Sequence, residues 1–178
     1  MGTASVPHKV QLFFALLYSD RIPVECVLDA LDREYGERDR ACGPVAFSWT
    51  GYYRSEMGTA LRKMYFNYRE CIDRDRLPAI KIHTNALEKR FSDSTGNRLV
   101  NIDPGYVARD KVVLATTKDF YHRLYLADGI YGEVTLHYRR GRFRYFSWTY
   151  PDFRDPQVMQ FLEKIRAPLV RAIRRTVR

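Results

Sequence analysis

VQLFFALLY, residues Val10 to Tyr18, is an almost unbroken apolar run bounded by Pro7 on one side and Ser19-Asp20 on the other. A run so short and so uniformly apolar predicts a strand covered on both faces, because neither face can be left to water. Such a strand belongs in the interior of a sheet, and the fold has to be built outward from it. Downstream, Val24, Val27, Leu28, Leu31 and Tyr35 recur at helical spacing, with Pro23 in the first turn and Gly36 just past the end. Val45 to Tyr53 and Leu61 to Arg69 read as two aromatic-rich strands around a Ser55-Glu56-Met57-Gly58 turn. Leu77, Ile80, Thr84, Leu87 and Phe91 mark a second amphipathic helix over about Arg76 to Phe91, with Pro78 in its first turn. Gly96-Asn97 then turns the chain into a short strand, Leu99 to Ile102. The expected class is α+β, and the order βαββαβ is the split βαβ of a ferredoxin-like sheet.

The rest of the chain extends that core by an antiparallel β-meander and a C-terminal helix. Asp110 to Lys118 (DKVVLATTK) fits a short helix or a strand, and a helix is expected. His122 to Leu126, Ile130 to Tyr138 and Arg142 to Trp148 form the meander, with turns at Asp128-Gly129 and Arg140-Gly141. Asp155 and Pro156 open a helix whose apolar stripe is Val158, Phe161, Leu162, Ile165, Leu169 and Ile173, with a kink expected at Pro168. No Pro/Gly/Ser-rich linker interrupts the chain, which predicts one domain over residues 1–178, a ferredoxin-like half to about residue 106 and the meander and helix after it.

Side-chain alternation sets an expected register, because a slip of one residue moves every side chain to the other face. Placing Leu124, Leu126, Ile130, Val134 and Leu136 on one apolar face requires a three-residue Ala127-Asp128-Gly129 loop. Arg123 then lies opposite Glu133, and His122 turns away toward Leu124. A two-residue Arg140-Gly141 turn sets Tyr138 against Phe143, Leu136 against Tyr145 and Glu133 against Trp148. The second face collects Tyr121, Arg123, Tyr125, Tyr131, Glu133, Thr135, His137, Arg144, Phe146 and Trp148. Flat rings mixed with arginines suit stacking on bases and pairing with phosphates, and the same mixture also stabilises a sheet under a helix.

The formal charge of +9 favours anionic partners. Lys164, Arg166, Arg171, Arg174, Arg175 and Arg178, against the single acid Glu163, concentrate it in the last helix, where a solvated face is its ordinary meaning. Cys26, Cys42 and Cys71 have no CxxC pairing and no nearby histidine, so free, mostly buried thiols are expected, with neither zinc site nor disulfide framework. No apolar run approaches the roughly 20 residues of a membrane span, and the N-terminus lacks signal-peptide features, so a cytoplasmic protein with no membrane partner is expected.

GxxxxGK(S/T), GxGxxG and HExxH are absent, and the four histidines lack metal-ligand spacing. The chemistry-bearing stretches are Thr50–Gly58 (TGYYRSEMG), Asn101–Tyr106 (NIDPGY), Leu114–Leu126 (LATTKDFYHRLYL), Gly129–Tyr138 (GIYGEVTLHY) and Trp148–Phe153 (WTYPDF). Asp103 and Tyr106 flank a Pro-Gly turn at a strand end. Thr116-Thr117-Lys118-Asp119 sets two hydroxyls, an ammonium and a carboxylate together, a set able to bind phosphate or orient a metal-bound water. These stretches resemble the corresponding ones of a bacterial and archaeal family, domain of unknown function 4416, over nearly the whole chain. The resemblance implies a shared fold and a shared site at these motifs; family members are sometimes labelled GTP-binding, a label for which this sequence supplies no phosphate loop.

The expected function is a binding or catalytic domain for a phosphate-bearing ligand, nucleotide or RNA, with the cofactor unknown. Lys118 and Arg123 would hold phosphate, Tyr131 and Trp148 would stack, and Asp119 or Glu133 would act as base or metal ligand. His122 is a further candidate base, while Asp103 and Tyr106 would contact ligand. Asp103, Lys118, Asp119, Arg123 and Glu133 are expected in one partly open pocket. The alternative is a non-catalytic module that docks protein or RNA through the basic C-terminal helix.

Overall fold

The computed structural model describes residues 2–176. Eight strands, β1 (Val10–Ser19), β2 (Arg38–Ala46), β3 (Leu61–Ile72), β4 (Val100–Val107), β5 (Lys111–Thr116), β6 (Arg123–Ala127), β7 (Ile130–Arg139) and β8 (Arg142–Tyr145), form one antiparallel sheet. Its order is β2-β3-β1-β4-β5-β7-β6, with β8 also on β7. Helices α1 (Val24–Tyr35), α2 (Arg54–Met57), α3 (Leu77–Arg90) and α4 (Pro156–Thr176) complete the α+β fold. Among the described residues no helix is long and apolar enough to cross a membrane.

All ten residues of β1 are buried, and the strand lies between β3 and β4. Its even side chains, Leu12, Phe14 and Leu16, meet Val27, Leu28 and Leu31 of α1 and Ile80 and Leu87 of α3. Phe13 and Ala15 face the other way, into a core with Phe161, Leu162 and Ile165 of α4. One apolar run therefore supplies the centre of a three-layer molecule. Asp155 caps α4 through its carboxylate, which accepts from the Gln157 N–H at 2.7 Å, and every residue of the expected α4 stripe is buried.

Three expected elements differ. The strand expected over Val45–Tyr53 is instead β2, Arg38–Ala46, an edge strand of charged and small residues exposed along most of its length. Such edges resist further pairing and carry no apolar alternation to reveal them. The aromatics after it, Phe47, Trp49, Tyr52 and Tyr53, fold over the sheet as a loop leading into α2. Asp110–Lys118 holds a strand, β5, rather than a helix, because its Val112, Val113, Leu114 and Ala115 are buried between β4 and β7. Asp103-Pro104-Gly105 lies inside β4 and is not a turn.

The meander keeps the expected Arg123–Glu133 pairing by a different device. Ala127 pairs with Ile130 across a two-residue Asp128-Gly129 turn with positive φ at both positions, and an irregularity between Tyr125 and Ala127 restores the register. Arg140-Gly141 forms the same kind of turn and gives the expected Tyr138–Phe143 and Leu136–Tyr145 pairs. A second bulge, where Val112 and Val113 of β5 meet Leu136 and Val134, breaks the alternation of β7. Leu136 consequently joins Phe143 under α4, whereas Ile130 and Val134 pack beside Leu77 of α3. Leu124 and Leu126 were expected on an apolar face; on the sheet-edge strand β6 they are 73% and 42% exposed. The thiols are free, but Cys26 is exposed and Cys42 and Cys71 are half-buried, not buried.

Candidate functional site

The β4–β5 ladder holds only where Gly105, Tyr106 and Val107 meet Leu114, Val113 and Val112. Ser19 donates its N–H to the Leu99 carbonyl, so odd residues of β4 turn their backbone groups to β1 and the even ones, Ile102 and Pro104, toward β5. Pro104 has no N–H to give, and the ladder ends there. Beyond it the two strands part, β4 staying with β1 and β5 with β7. Side chains of α3 occupy the parting: the Ile102 N–H donates to Glu88 Oε1 at 2.7 Å, and Lys81 Nζ donates to the Ile102 carbonyl at 3.1 Å. They satisfy the backbone groups a neighbouring strand would have met.

A cavity of about 500 Å³ opens at this parting, a size ordinary for a small-molecule site. Its charged lining comprises Lys63, Lys81, Arg98, Lys118 and Arg123 with Glu88, Asp103, Glu133 and Asp152. Phe47, Trp49, Tyr52 and Tyr53 from the loop after β2, and Tyr150 and Phe153 from the segment before α4, supply rings.

The charges fall into three groups. On the β4 side, Lys81 Nζ lies 2.9 Å from Asp103 and 3.8 Å from Glu88, Glu88 pairs Arg98 at 2.7 Å, and Arg98 pairs Glu56 at 2.8 Å. Asn101 donates to the second oxygen of Asp103 at 2.6 Å. Burial pushes the Asp103 carboxyl up, but the charges of Lys81 and Lys63 and the hydrogen bonds of Lys81 and Asn101 outweigh it and hold the group below its ordinary value. For Glu88 burial prevails over Lys81, the Ile102 N–H and Arg98, and the carboxyl is raised. Over the sheet, Asp152 accepts from the Tyr65 hydroxyl at 2.7 Å and sits 3.5 Å from Lys63, whose ammonium lies 5.7 Å from the centres of the Phe47 and Tyr65 rings. Burial, then the Asp103 charge, raises the Tyr53 phenol well above its usual range.

The third group surrounds Arg123. Its Nε donates to Glu133 Oε2 at 3.0 Å, its Nη1 to the Lys118 carbonyl at 3.0 Å and its Nη2 to the Tyr150 hydroxyl at 3.3 Å. His122 Nε2 also meets Glu133 Oε2 at 3.0 Å, while Glu133 Oε1 and His122 Nδ1 are buried without a partner among the described residues. Lys118 is exposed; its ammonium donates to the Tyr52 hydroxyl at 3.0 Å and lies 4.7 Å from that ring's centre. The hydrogen bond from Lys118, then its charge, holds the Tyr52 phenol below its ordinary value.

Of the residues chosen from sequence, Asp103, Lys118, Arg123 and Glu133 line the cavity. His122 was expected to turn toward Leu124; it precedes β6, in a turn where strand alternation does not apply, and reaches Glu133 instead. Asp119 is exposed and outside the cavity lining. Tyr106 packs between the apolar clusters on the α3 side. Tyr131 packs on Tyr125 with ring centres 5.6 Å apart. Trp148 lies beyond the end of β8 rather than opposite Glu133, stacks on Phe146 at 4.6 Å and on His122 at 5.1 Å, and donates its indole N–H to the Val134 carbonyl. Arg178 lies outside the described residues. Sequence reasoning missed Lys63, Lys81, Glu88, Arg98 and Asp152. Lys81, Asn85 and Glu88 did leave a signal, a polar stripe at i, i+4 and i+7 of a predicted helix.

A family model described as "Domain of unknown function (DUF4416)" matches residues 8–168. No curated protein and no solved structure matches the chain.

Proposed function

We propose that this chain, which belongs to the domain of unknown function 4416 family, is a binding or catalytic domain for a phosphate-bearing small molecule of nucleotide size, held between the parted strands β4 and β5. The carrying observation is a nucleotide-sized cavity that places Lys118, an ammonium with no carboxylate on it among the described residues, beside exposed rings. Among the described residues Lys118 meets only a phenol, and Lys63 has its nearest carboxylate at 3.5 Å, so both ammoniums have capacity for an anion. Phe47, Tyr53 and Tyr52 run between them in successive ring contacts. Arg123, by contrast, gives three of its five N–H donors to the protein and acts as a clamp for the wall.

The first half reads as a ferredoxin-like unit. Strand order β2-β3-β1-β4 with α1 and α3 on one face supports that reading. Its outer strand β4 carries β5 to β8, which explains why the cavity forms at the seam. Three free thiols suit a reducing, cytoplasmic compartment.

Thermal shift and calorimetry with pyrophosphate, nucleoside 5′-monophosphates and single-stranded RNA test the reading. A nucleotide should stabilise the wild type, and Lys118→Ala should lose that response while its own stability stays within about 0.5 kcal/mol, as for other exposed substitutions. An Arg171→Ala/Arg174→Ala/Arg175→Ala variant should keep it. Absence of any response at millimolar phosphate compounds sinks the proposal, as does loss of RNA binding in the arginine variant alone, which would favour docking through α4.

A further inference from the structure

We infer that Glu133 is the ligand's hydrogen-bond acceptor, reading an exocyclic amino donor of a nucleobase stacked on Tyr150; this rests on the nucleotide reading above. Glu133 is 2% exposed and lines the cavity. Its Oε2 takes two donors, Arg123 Nε and His122 Nε2, each at 3.0 Å. Oε1 takes none, although it is equally buried. A buried carboxylate oxygen left unmet is rare in a folded protein and is relieved when a bound molecule supplies the missing donor.

The carboxylate cannot turn away to find another partner. Arg123 and His122 grip one oxygen, and the His122 ring is held against Trp148 with centroids 5.1 Å apart and planes 16° apart. The same guanidinium also holds the Tyr150 hydroxyl at 3.3 Å. Acceptor and aromatic face are thereby fixed to each other through a single planar group. Tyr150 is 51% exposed, so its face remains open to a ring. An anionic phosphate at Oε1 would meet a negative charge, so the phosphate end belongs with Lys118, whose carbonyl is the third group on Arg123. A ligand matching this pattern has a flat ring with a polar N–H at one end and a phosphate at the other. A bare phosphate or a sugar phosphate would leave Tyr150 unused.

Glu133→Gln gives a directional test. The amide oxygen must stay on the Arg123 guanidinium, because an NH₂ there would face a donor, and the NH₂ is forced to the position of Oε1. An acceptor becomes a donor with almost no change of shape. Calorimetry on the full chain would compare pairs differing by one amino group: adenosine with purine riboside, guanosine with inosine, and cytidine with pyrimidin-2-one riboside, all as 5′-monophosphates. Ribose 5-phosphate serves as the ring-free probe. In the wild type at least one amino-bearing member should bind about tenfold or more tightly than its partner, and Glu133→Gln should bring that pair to within about threefold. Tyr150→Leu should weaken the nucleotides and leave ribose 5-phosphate unchanged, a check independent of how well Glu133→Gln folds. If all wild-type pairs agree within about threefold, or ribose 5-phosphate equals the nucleotides, the inference fails while the phosphate site stands. If no phosphate compound binds, both fail.

Discussion

Lys81→Met removes an ammonium that is buried at the parting of β4 and β5 and serves three groups: the Ile102 carbonyl at 3.1 Å, Asp103 at 2.9 Å and Glu88 at 3.8 Å. Methionine keeps the apolar stem, so packing changes little and the effect is electrostatic. Removing one partner of a buried ion pair costs up to about 3–5 kcal/mol, and Asp103 keeps the Asn101 hydrogen bond and the more distant Lys63 charge. Glu88 retains Arg98 and the Ile102 N–H, so most of the loss falls on Asp103. For a domain of this size the loss corresponds to a melting-point drop of roughly 6–20 °C. Burial alone raises an Asp103 carboxyl, and in the wild type the cations outweigh it; without Lys81 the group takes up a proton more readily. The penalty should therefore shrink as the pH falls from 7 to 4. Urea unfolding at both pH values measures it, and in Lys81→Met/Asp103→Asn the loss should be smaller than the sum of the single variants. A loss below about 1 kcal/mol at pH 7, or one that grows on acidification, would refute the account of this network.

Gly105→Ala should destabilise by about 1–3 kcal/mol, because its Cβ would sit 2.6 Å from the Val113 carbonyl oxygen and 2.7 Å from the Phe13 ring at the last rung before the strands part; a variant as stable as wild type in urea would contradict that contact. Asp103→Asn should be costly at pH 7 and less costly at pH 3. A carboxyl whose pKa is lowered by folding stabilises above its unfolded value, about 3.9, and loses that contribution as the pH falls through the folded value. Equal costs at both pH values would show that Asp103 contributes as a hydrogen-bonding shape and not as a charge. A thiol reagent should label Cys26 first in the native protein, since burial raises the thiols of Cys42 and Cys71; simultaneous labelling of all three would place them in equivalent surroundings.

Legible in the chain alone were the interior strand, the amphipathic helices α1, α3 and α4, and the cross-strand pairs Tyr138–Phe143 and Leu136–Tyr145. Each of these is written in a local period, an apolar run or a turn residue that one segment carries alone. Tertiary structure alone decided the rest. β2 is legible only from its partner, since Arg38 to Ala46 pair with β3 through backbone groups that nearly every residue type carries. β5 looks helical until β4 and β7 bury it on both sides. His122 could not be assigned from alternation, because its position depends on a turn outside the strand and on the Trp148 ring that holds it. The cavity exists because Pro104 ends a ladder between two strands and because α3 reaches through the gap with Lys81 and Glu88. Those residues are distant in sequence from β5, and no period within any one segment records that they meet. Charge pairing across such a gap is set by which surfaces the fold brings together, and only then do Asp103, Lys118, Arg123 and Glu133 come to line one cavity.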